Sequence, residues 1–445
     1  MKAQGFIIYQ IKMKHIFYFM TSLILLNSCS SVRSVALANE PVTVSNGKFF
    51  KGNNPYYFVG ANYWYGPLIA AKNIGDRERL KKELDLMKEN GINNLRILVG
   101  AEGGNEDFQV KPALQPKQGE YNEDLLDGLD FLMAEMEKRE MYAVLYLNNN
   151  WIWSGGMSAY LEWNGYGEVA NPFLEKYSWD DYFAYTEQFH TCTSCREAFK
   201  EHLRFIIGRT NSYTGRKYSD DNTVMSWQVA NEPRIFTEND REPFKDWLDE
   251  VVSLLKELDP NTLVSTGAEG KASYLQDIDA YQMLHSNPNI DYLTMHMWPK
   301  NWQWYSTKDE KGTLKISIKN ANDYINEHLE VAQRLNKPIV ISEFGFPREQ
   351  ERLEPEASVE NRNTFYEAIF KRLEHSFKTN GILAGVNFWG FGGFANTSGQ
   401  VNGKWKAGDD FSGDPPQEPQ GLNTVFASDR ETLQLIRKYN EMLQK

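Results

Sequence analysis

The chain has 445 residues, 41% of them hydrophobic, with 48 basic and 60 acidic side chains and a formal net charge of −12. That length suggests two or three domains unless the fold is an α/β barrel, and the acidic balance, with no basic run interleaved with aromatics, excludes nucleic acid as a partner. Aromatic residues make up 13% of the chain, a surplus that fills a large core and, at strand ends, also suits stacking on flat apolar ligand faces.

Residues 1–29 read as an address. From Met13, the expected initiator, "MKHIFYFMTSLILLNSC" has a basic start, an apolar run from Ile16 to Leu26 and then Leu-Asn-Ser-Cys. The run is too short to span a bilayer and fits a signal peptide. Its ending resembles a bacterial lipobox, in which the cysteine becomes the acylated N-terminus, so Cys29 is expected to carry lipid and to hold a monomeric protein to a membrane outside the cytoplasm. The folded domain is then residues 30–445.

Residues 40–55 are expected to form a small hairpin. From residue 56 short apolar runs alternate with amphipathic helices, the pattern of a parallel sheet. The runs are 56–64, 94–100, 142–149, 224–232, 263–270, 292–298, 339–346 and 384–393. Helices are expected before the second run, where Leu80, Leu84 and Met87 share a face and Gly91 marks the stop, and around 122–139, 195–209, 242–258, 321–335, 359–378 and 429–444. The fifth, near 273–283, has the weakest pattern. Eight strand–helix units without a Pro/Ser linker predict one domain, a (β/α)8 TIM barrel.

In "HTCTSC", Cys192 and Cys195 lack the second pair a closed zinc site needs; a local disulfide and two small packing residues both fit. Asp409, Asp410 and Asp414 lie in a Pro-rich loop without a regular calcium-ligand spacing and are expected to be solvated. No metal and no cofactor is expected.

Barrel sites lie at the carboxyl ends of the strands, and there this chain places Asn148 to Trp151, Asn231, Glu232, Glu269, His296, Trp298, Glu343 and Trp389, with Arg96 earlier in its strand. The apolar run "VMSWQVANEPR" ends on an acid, although an isolated buried carboxylate costs several kcal/mol. Its counterpart is Glu343 in "ISEFGF". Two carboxylates projecting into one cleft can serve as proton donor and nucleophile around a scissile glycosidic bond, and each raises the proton affinity of the other.

These stretches, with "NNNWIWSGG" (148–156), "RTNSYTGRKYSDDNTVMSWQVANEPR" (209–234), "MHMWPKNW" (295–302), "FWGFGG" (388–393) and "GDPPQEPQGLNTVF" (413–426), resemble glycoside hydrolase family 5, and within it the endo-β-1,4-mannanases of subfamily seven. The resemblance implies a retaining endo-1,4-β-mannanase acting on mannan, glucomannan or galactomannan. Glu232 would be the acid/base, Glu343 the nucleophile and Asn231 a partner of the sugar 2-hydroxyl. Arg96 and His296 would orient the carboxylates, with Arg96 holding Glu343 ionised. Trp389 would be the floor under the cleaved sugar, and Trp151 and Arg234 would line neighbouring subsites. Trp298 stands where much of the family has a tyrosine bonded to the nucleophile, so it is expected to contact substrate instead. Three rivals remain: an exo-acting β-mannosidase in which the loop at 101–120, 151–178 or 394–423 closes the cleft, a β-1,4-glucanase, and a non-catalytic glycan-binding lipoprotein.

Overall fold

The computed structural model describes residues 39–445 apart from Asn105; the leader and Cys29 lie outside the described residues. A three-stranded antiparallel sheet, β1 (Val42–Ser45), β2 (Lys48–Lys51) and β3 (Asn54–Pro55), opens the chain. Eight parallel strands follow: β4 (Phe58–Asn62), β5 (Asn94–Leu98), β6 (Tyr142–Tyr146), β7 (Val224–Gln228), β8 (Leu263–Ser265), β9 (Leu293–Met297), β10 (Ile339–Phe344) and β11 (Leu383–Phe388). Their order, β8-β7-β6-β5-β4-β11-β10-β9, curls into the expected (β/α)8 barrel. The β8 and β9 edges meet through single bonds rather than a ladder, for example Asp291 N to Val264 O at 2.9 Å and His296 N to Glu269 O at 3.0 Å.

All these strand residues are buried, because helices cover the outside and side chains fill the inside; this is why the strands read as unbroken apolar runs. The helix Arg77–Glu89 shows how locally the pattern is written. Asp76 caps it by accepting from Arg79 N at 2.9 Å, Leu80, Leu84 and Met87 are buried, and Gly91 follows at a φ of 72° that a side chain would resist. The weakly patterned fifth helix is Ile278–His285, eight residues capped by Asp277. The helix expected from 321 starts at Glu310, because Asp309 caps it by accepting from Gly312 N at 3.0 Å.

The barrel is layered. At the bottom the opening sheet plugs the strand starts: Val42 and Phe49 pack with Phe58, Tyr142, Met225, Leu263 and Tyr292, and the Phe49 and Tyr292 rings meet edge-on at 5.2 Å. At the top the interior turns polar. Arg96 donates from Nε to Gln228 at 2.7 Å, from Nη1 to Asn62 at 3.1 Å and from Nη2 to Asn231 at 2.9 Å. Buried polar groups are tolerable only when paired, so this layer exists to hold something.

Cys192 and Cys195 form a disulfide at the start of the helix Thr193–Gly208. Asp414 corrects the expectation of a solvated loop. It is fully buried and accepts from Gly421 N at 2.9 Å, Asn423 N at 3.0 Å and the Thr424 hydroxyl at 2.6 Å. A Pro-rich loop without periodicity gave no sign that it folds back on its own aspartate.

Candidate active site

Strand β7 ends at Gln228, and four residues later Glu232 adopts a φ of 52°, in the left-handed region that only glycine enters freely. Its N–H donates to Gly267 O at 3.0 Å, and Asn231 N donates to Asn148 O at 2.8 Å. Neighbouring strand ends therefore hold a turn that costs of order 1–3 kcal/mol by itself. The turn leaves Glu232 lining a cavity of about 560 Å³ at the barrel mouth. In β10 the register shifts after Ile341 against both neighbours, before Glu343 against β9 and before Phe344 against β11, and this bulge sets Glu343 opposite His296 and into the same cavity.

The two acids share a partner. His296 Nδ1 lies 2.7 Å from Glu232 Oε1 and 3.3 Å from Glu343 Oε2, while its Nε2 lies 2.9 Å from the Ser342 hydroxyl. One oxygen of each glutamate and one ring nitrogen fall within 4.8 Å of one another. Glu343 also pairs with Arg96. Glu232 accepts from the Trp151 indole at 2.5 Å, and Arg234 Nη2 stands 3.9 Å away, paired in turn with Glu269.

Burial pushes the Glu232 carboxyl above its ordinary range, opposed by Arg234, the Trp151 and Trp298 indoles and Arg96. Burial likewise raises Glu343 well above, helped by Glu232 and Glu269 and opposed by Arg96. Glu269 is pushed up to about 7 by burial and the Glu232 charge. His296 is driven well below its usual value by burial and by Arg96, so it is neutral. Three carboxyls thus face two guanidiniums, those of Arg96 and Arg234, and the cluster is closest to neutral when one carboxyl keeps its proton. Arg96, paired with Glu343, acts in the sense expected of it, opposing the effect of burial on that carboxyl.

Glu232, Glu343 and His296 have donor atoms close enough to ligate an ion. Both imidazole nitrogens are already hydrogen-bonded, and Arg96 sets a fixed cation beside Glu343, which makes the cluster a poor host for a divalent metal.

Of the residues singled out in the sequence, Trp151, Asn231, Glu232, Arg234, Trp298, Glu343 and Trp389 line the cavity. Arg96 and His296 do not. Both are fully buried behind the acids, so they position the carboxylates and are not substrate-binding residues. Arg234 lies over the Trp151 ring at 4.6 Å, and Trp389 meets Trp298 edge-on at 5.7 Å, its own indole nitrogen buried without a partner. The Trp298 indole is among the groups that hydrogen-bond the Glu232 carboxyl.

Sequence reasoning missed other lining residues: Phe173, Trp179 and Phe183 on the Trp151 side, and Pro415, Gln417 and Glu418 from the Asp414 loop. Gln417 Oε1 and Glu418 Oε2 are buried with no partner among the described residues, and burial raises Glu418 to about 8. The only signal for them was the run "GDPPQEPQG", whose prolines mark a loop but not its direction.

A barrel with two glutamates and stacked tryptophans at its mouth is the architecture of a glycoside hydrolase. The sequence profile described as "GH family 5 beta-mannosidase-like" matches residues 39–445, and the chain belongs to that family. It is 31% identical to the crystallised glycoside hydrolase family 5 mannosidase from Rhizomucor miehei, which it resembles with a TM-score of 0.82 over 91% of this chain and 98% of that one. It is 27% identical over 378 residues to mannan endo-1,4-beta-mannosidase 7 of Arabidopsis thaliana, covering 81% of this chain and 80% of the relative. The endo-beta-1,4-mannanase from Thermotoga petrophila, 22% identical with a TM-score of 0.64 over 88% of this chain and 78% of that one, shares the fold.

Proposed function

We propose that this protein is a retaining endo-1,4-β-mannanase of subfamily seven, cleaving mannan, glucomannan or galactomannan by double displacement. The observation that carries the reading is the spacing of the acids. With oxygens of Glu232 and Glu343 within 4.8 Å of each other, they fit the roughly 5–5.5 Å separation of retaining enzymes and leave no room for the water of an inverting pair, which needs about 6.5–9.5 Å.

In the first step Glu343 attacks the anomeric carbon. The glycosidic oxygen leaves with the Glu232 proton, and a glycosyl ester forms on Glu343. Glu232, now ionised, takes a proton from water, whose oxygen attacks the same carbon and frees Glu343. Arg96 and His296 hold both acids in place. Trp151 and Arg234 stand beside the acid, with Trp179 edge-on to Trp151, and so belong to the leaving-group side. The named activity of the plant relatives supports mannan as substrate.

A second reading, an exo-acting β-mannosidase, has its own observation. The Asp414 loop brings Gln417 and Glu418 into the cavity with acceptor oxygens free for sugar hydroxyls, and the Rhizomucor miehei protein, at 31% identity, is named a mannosidase. Digestion of linear mannan, galactomannan, cellulose and reduced manno-oligosaccharides by protein lacking residues 1–29 decides. The endo reading expects a ladder of oligosaccharides from mannan; mannose alone would establish the exo mode, and cleavage of cellulose with mannan untouched would overturn both.

We also propose that the protein is a monomer anchored outside the cytoplasm through lipid on Cys29. Cys29→Ala should then leave the membrane fraction with unchanged activity in lysate, and a variant that still pellets with membranes contradicts the anchor.

A further inference from the structure

A second groove, about 640 Å³ in volume, lies on the same end of the barrel between the segments 68–79, 103–116 and 405–411. It shares no lining residue with the catalytic cavity. A wall of rings divides them: Trp153, which lines the cavity, meets Trp64 edge-on at 5.6 Å, Trp64 meets Phe411 at 5.6 Å, and Phe411 stacks on Trp405 at 5.2 Å. Trp64 is pinned by its bond to Gly413 O at 3.0 Å.

We propose that this groove binds a neutral polysaccharide chain as a second, non-catalytic carbohydrate site; the choice of β-mannan as its polymer rests on the function proposed above. Trp405 carries the argument. It is 5% exposed and lines the groove, yet its indole nitrogen is buried with no hydrogen-bond partner among the described residues, an arrangement that costs about 1–3 kcal/mol unless an acceptor arrives. A sugar hydroxyl supplies one. The two cations that line it are already paired: Arg79 with Glu83 at 2.8 Å, facing Asp410 at 3.7 Å, and Lys111 with Asp107 at 3.1 Å. An anion would find no unmatched cation, whereas a polyol can accept from Trp405 and donate to Asp409 and Asp410. Ile74, 51% exposed, and Pro112 offer an apolar surface to a sugar face. The volume lies within the range of about 300–1,000 Å³ usual for ligand sites.

Native electrophoresis in gels containing soluble β-mannan, β-glucan or xylan tests this, read beside turnover of a small aryl β-mannoside and the melting temperature. The parent protein should be retarded by mannan. Trp405→Phe, which keeps a ring and loses the N–H, and Ile74→Asp, at an exposed position, should each weaken retardation at least fivefold while aryl mannoside turnover stays unchanged. Trp389→Ala, in the catalytic cavity, should still be retarded. Retardation of both groove variants like the parent, its loss in Trp389→Ala alone, or no retardation of the parent in any gel would overturn the proposal. Retardation by glucan or xylan instead of mannan, lost in the groove variants, upholds the groove and counts against mannan as substrate.

Discussion

In the proposed mechanism Glu232 holds a proton in one half of the cycle and takes one up in the other, so whatever touches its carboxylate would set the pH range of the enzyme. The Trp151 indole donates to it at 2.5 Å, a bond that favours the ionised form. Trp151→Phe should therefore raise its proton affinity and move the alkaline limb of kcat/KM upward by about one pH unit. Glu269→Gln should act in the opposite sense, because it removes a negative neighbour and frees Arg234 to turn toward Glu232; the alkaline limb should move down. Profiles of both variants on one substrate check the signs, and movement in the same direction would refute the shared-proton cluster. Trp298→Phe mainly raises KM if the ring stacks on sugar, with a smaller upward shift of the same limb, since its N–H also serves Glu232.

At the scale of elements, the loop after β11 is tied by three buried side chains: Gln420 donates to Asp414 O, Pro415 O and Glu418 O, Arg362 donates to Leu422 O and Thr424 O, and Asp414 accepts from the loop's own donors. Asp414 collects two backbone N–H groups and the Thr424 hydroxyl within 3.0 Å and so helps fix Pro415, Gln417 and Glu418 in the cavity wall. Asp414→Asn must turn an amide donor toward groups that already donate. It should cost roughly 2–4 kcal/mol in urea unfolding and raise KM more than it lowers kcat; a variant of unchanged stability would show that Gln420 and Arg362 hold the loop without it. Glu102 gives a pH-dependent counterpart. It accepts from Gly156 N at 3.0 Å, tying the loop after β5 to the loop after β6, and burial raises it from 4.5 to about 8. Below about pH 4.5 the folded and unfolded chains are both protonated. Above it the unfolded chain ionises first, so stability falls progressively until about pH 8. Glu102→Gln keeps the acceptor and lacks this loss, so its advantage in melting experiments should grow from near zero at pH 4.5 to a few kcal/mol at pH 8.

These two acids mark what the sequence conceals. The barrel strands and the helix Arg77–Glu89 were legible because burial on both strand faces, or on one helix face, writes itself as apolar spacing, and Glu232 and Glu343 were legible because an acid ending such a strand needs a reason. Glu102, Asp414 and Glu418 lie in loops, where no period connects a residue to its surroundings; their burial depends on where the chain returns. Arg96 shows the intermediate case: its importance was visible, but only the structure puts it behind Glu343 and away from the cavity.

At the scale of the whole molecule, the polar upper layer of the barrel, the strained turn at Glu232 and the bulge at Glu343 converge on one pair of carboxyls, which the proposed mechanism uses as proton donor and nucleophile. Stability alone does not require them, since a left-handed glutamate and three buried carboxyls each work against folding. The most direct test compares Glu232→Ala and Glu343→Ala on an activated aryl β-mannoside, or an aryl manno-oligoside, with and without azide. An aryl leaving group of low pKa scarcely needs the acid, so Glu232→Ala should form the glycosyl-enzyme and stall, and azide should restore turnover and give a β-mannosyl azide of retained configuration, while Glu343→Ala forms no glycosyl-enzyme on any substrate. A retained azide from Glu343→Ala together with an inverted azide from Glu232→Ala would exchange the two roles, and near-full activity of both variants on mannan would contradict the account.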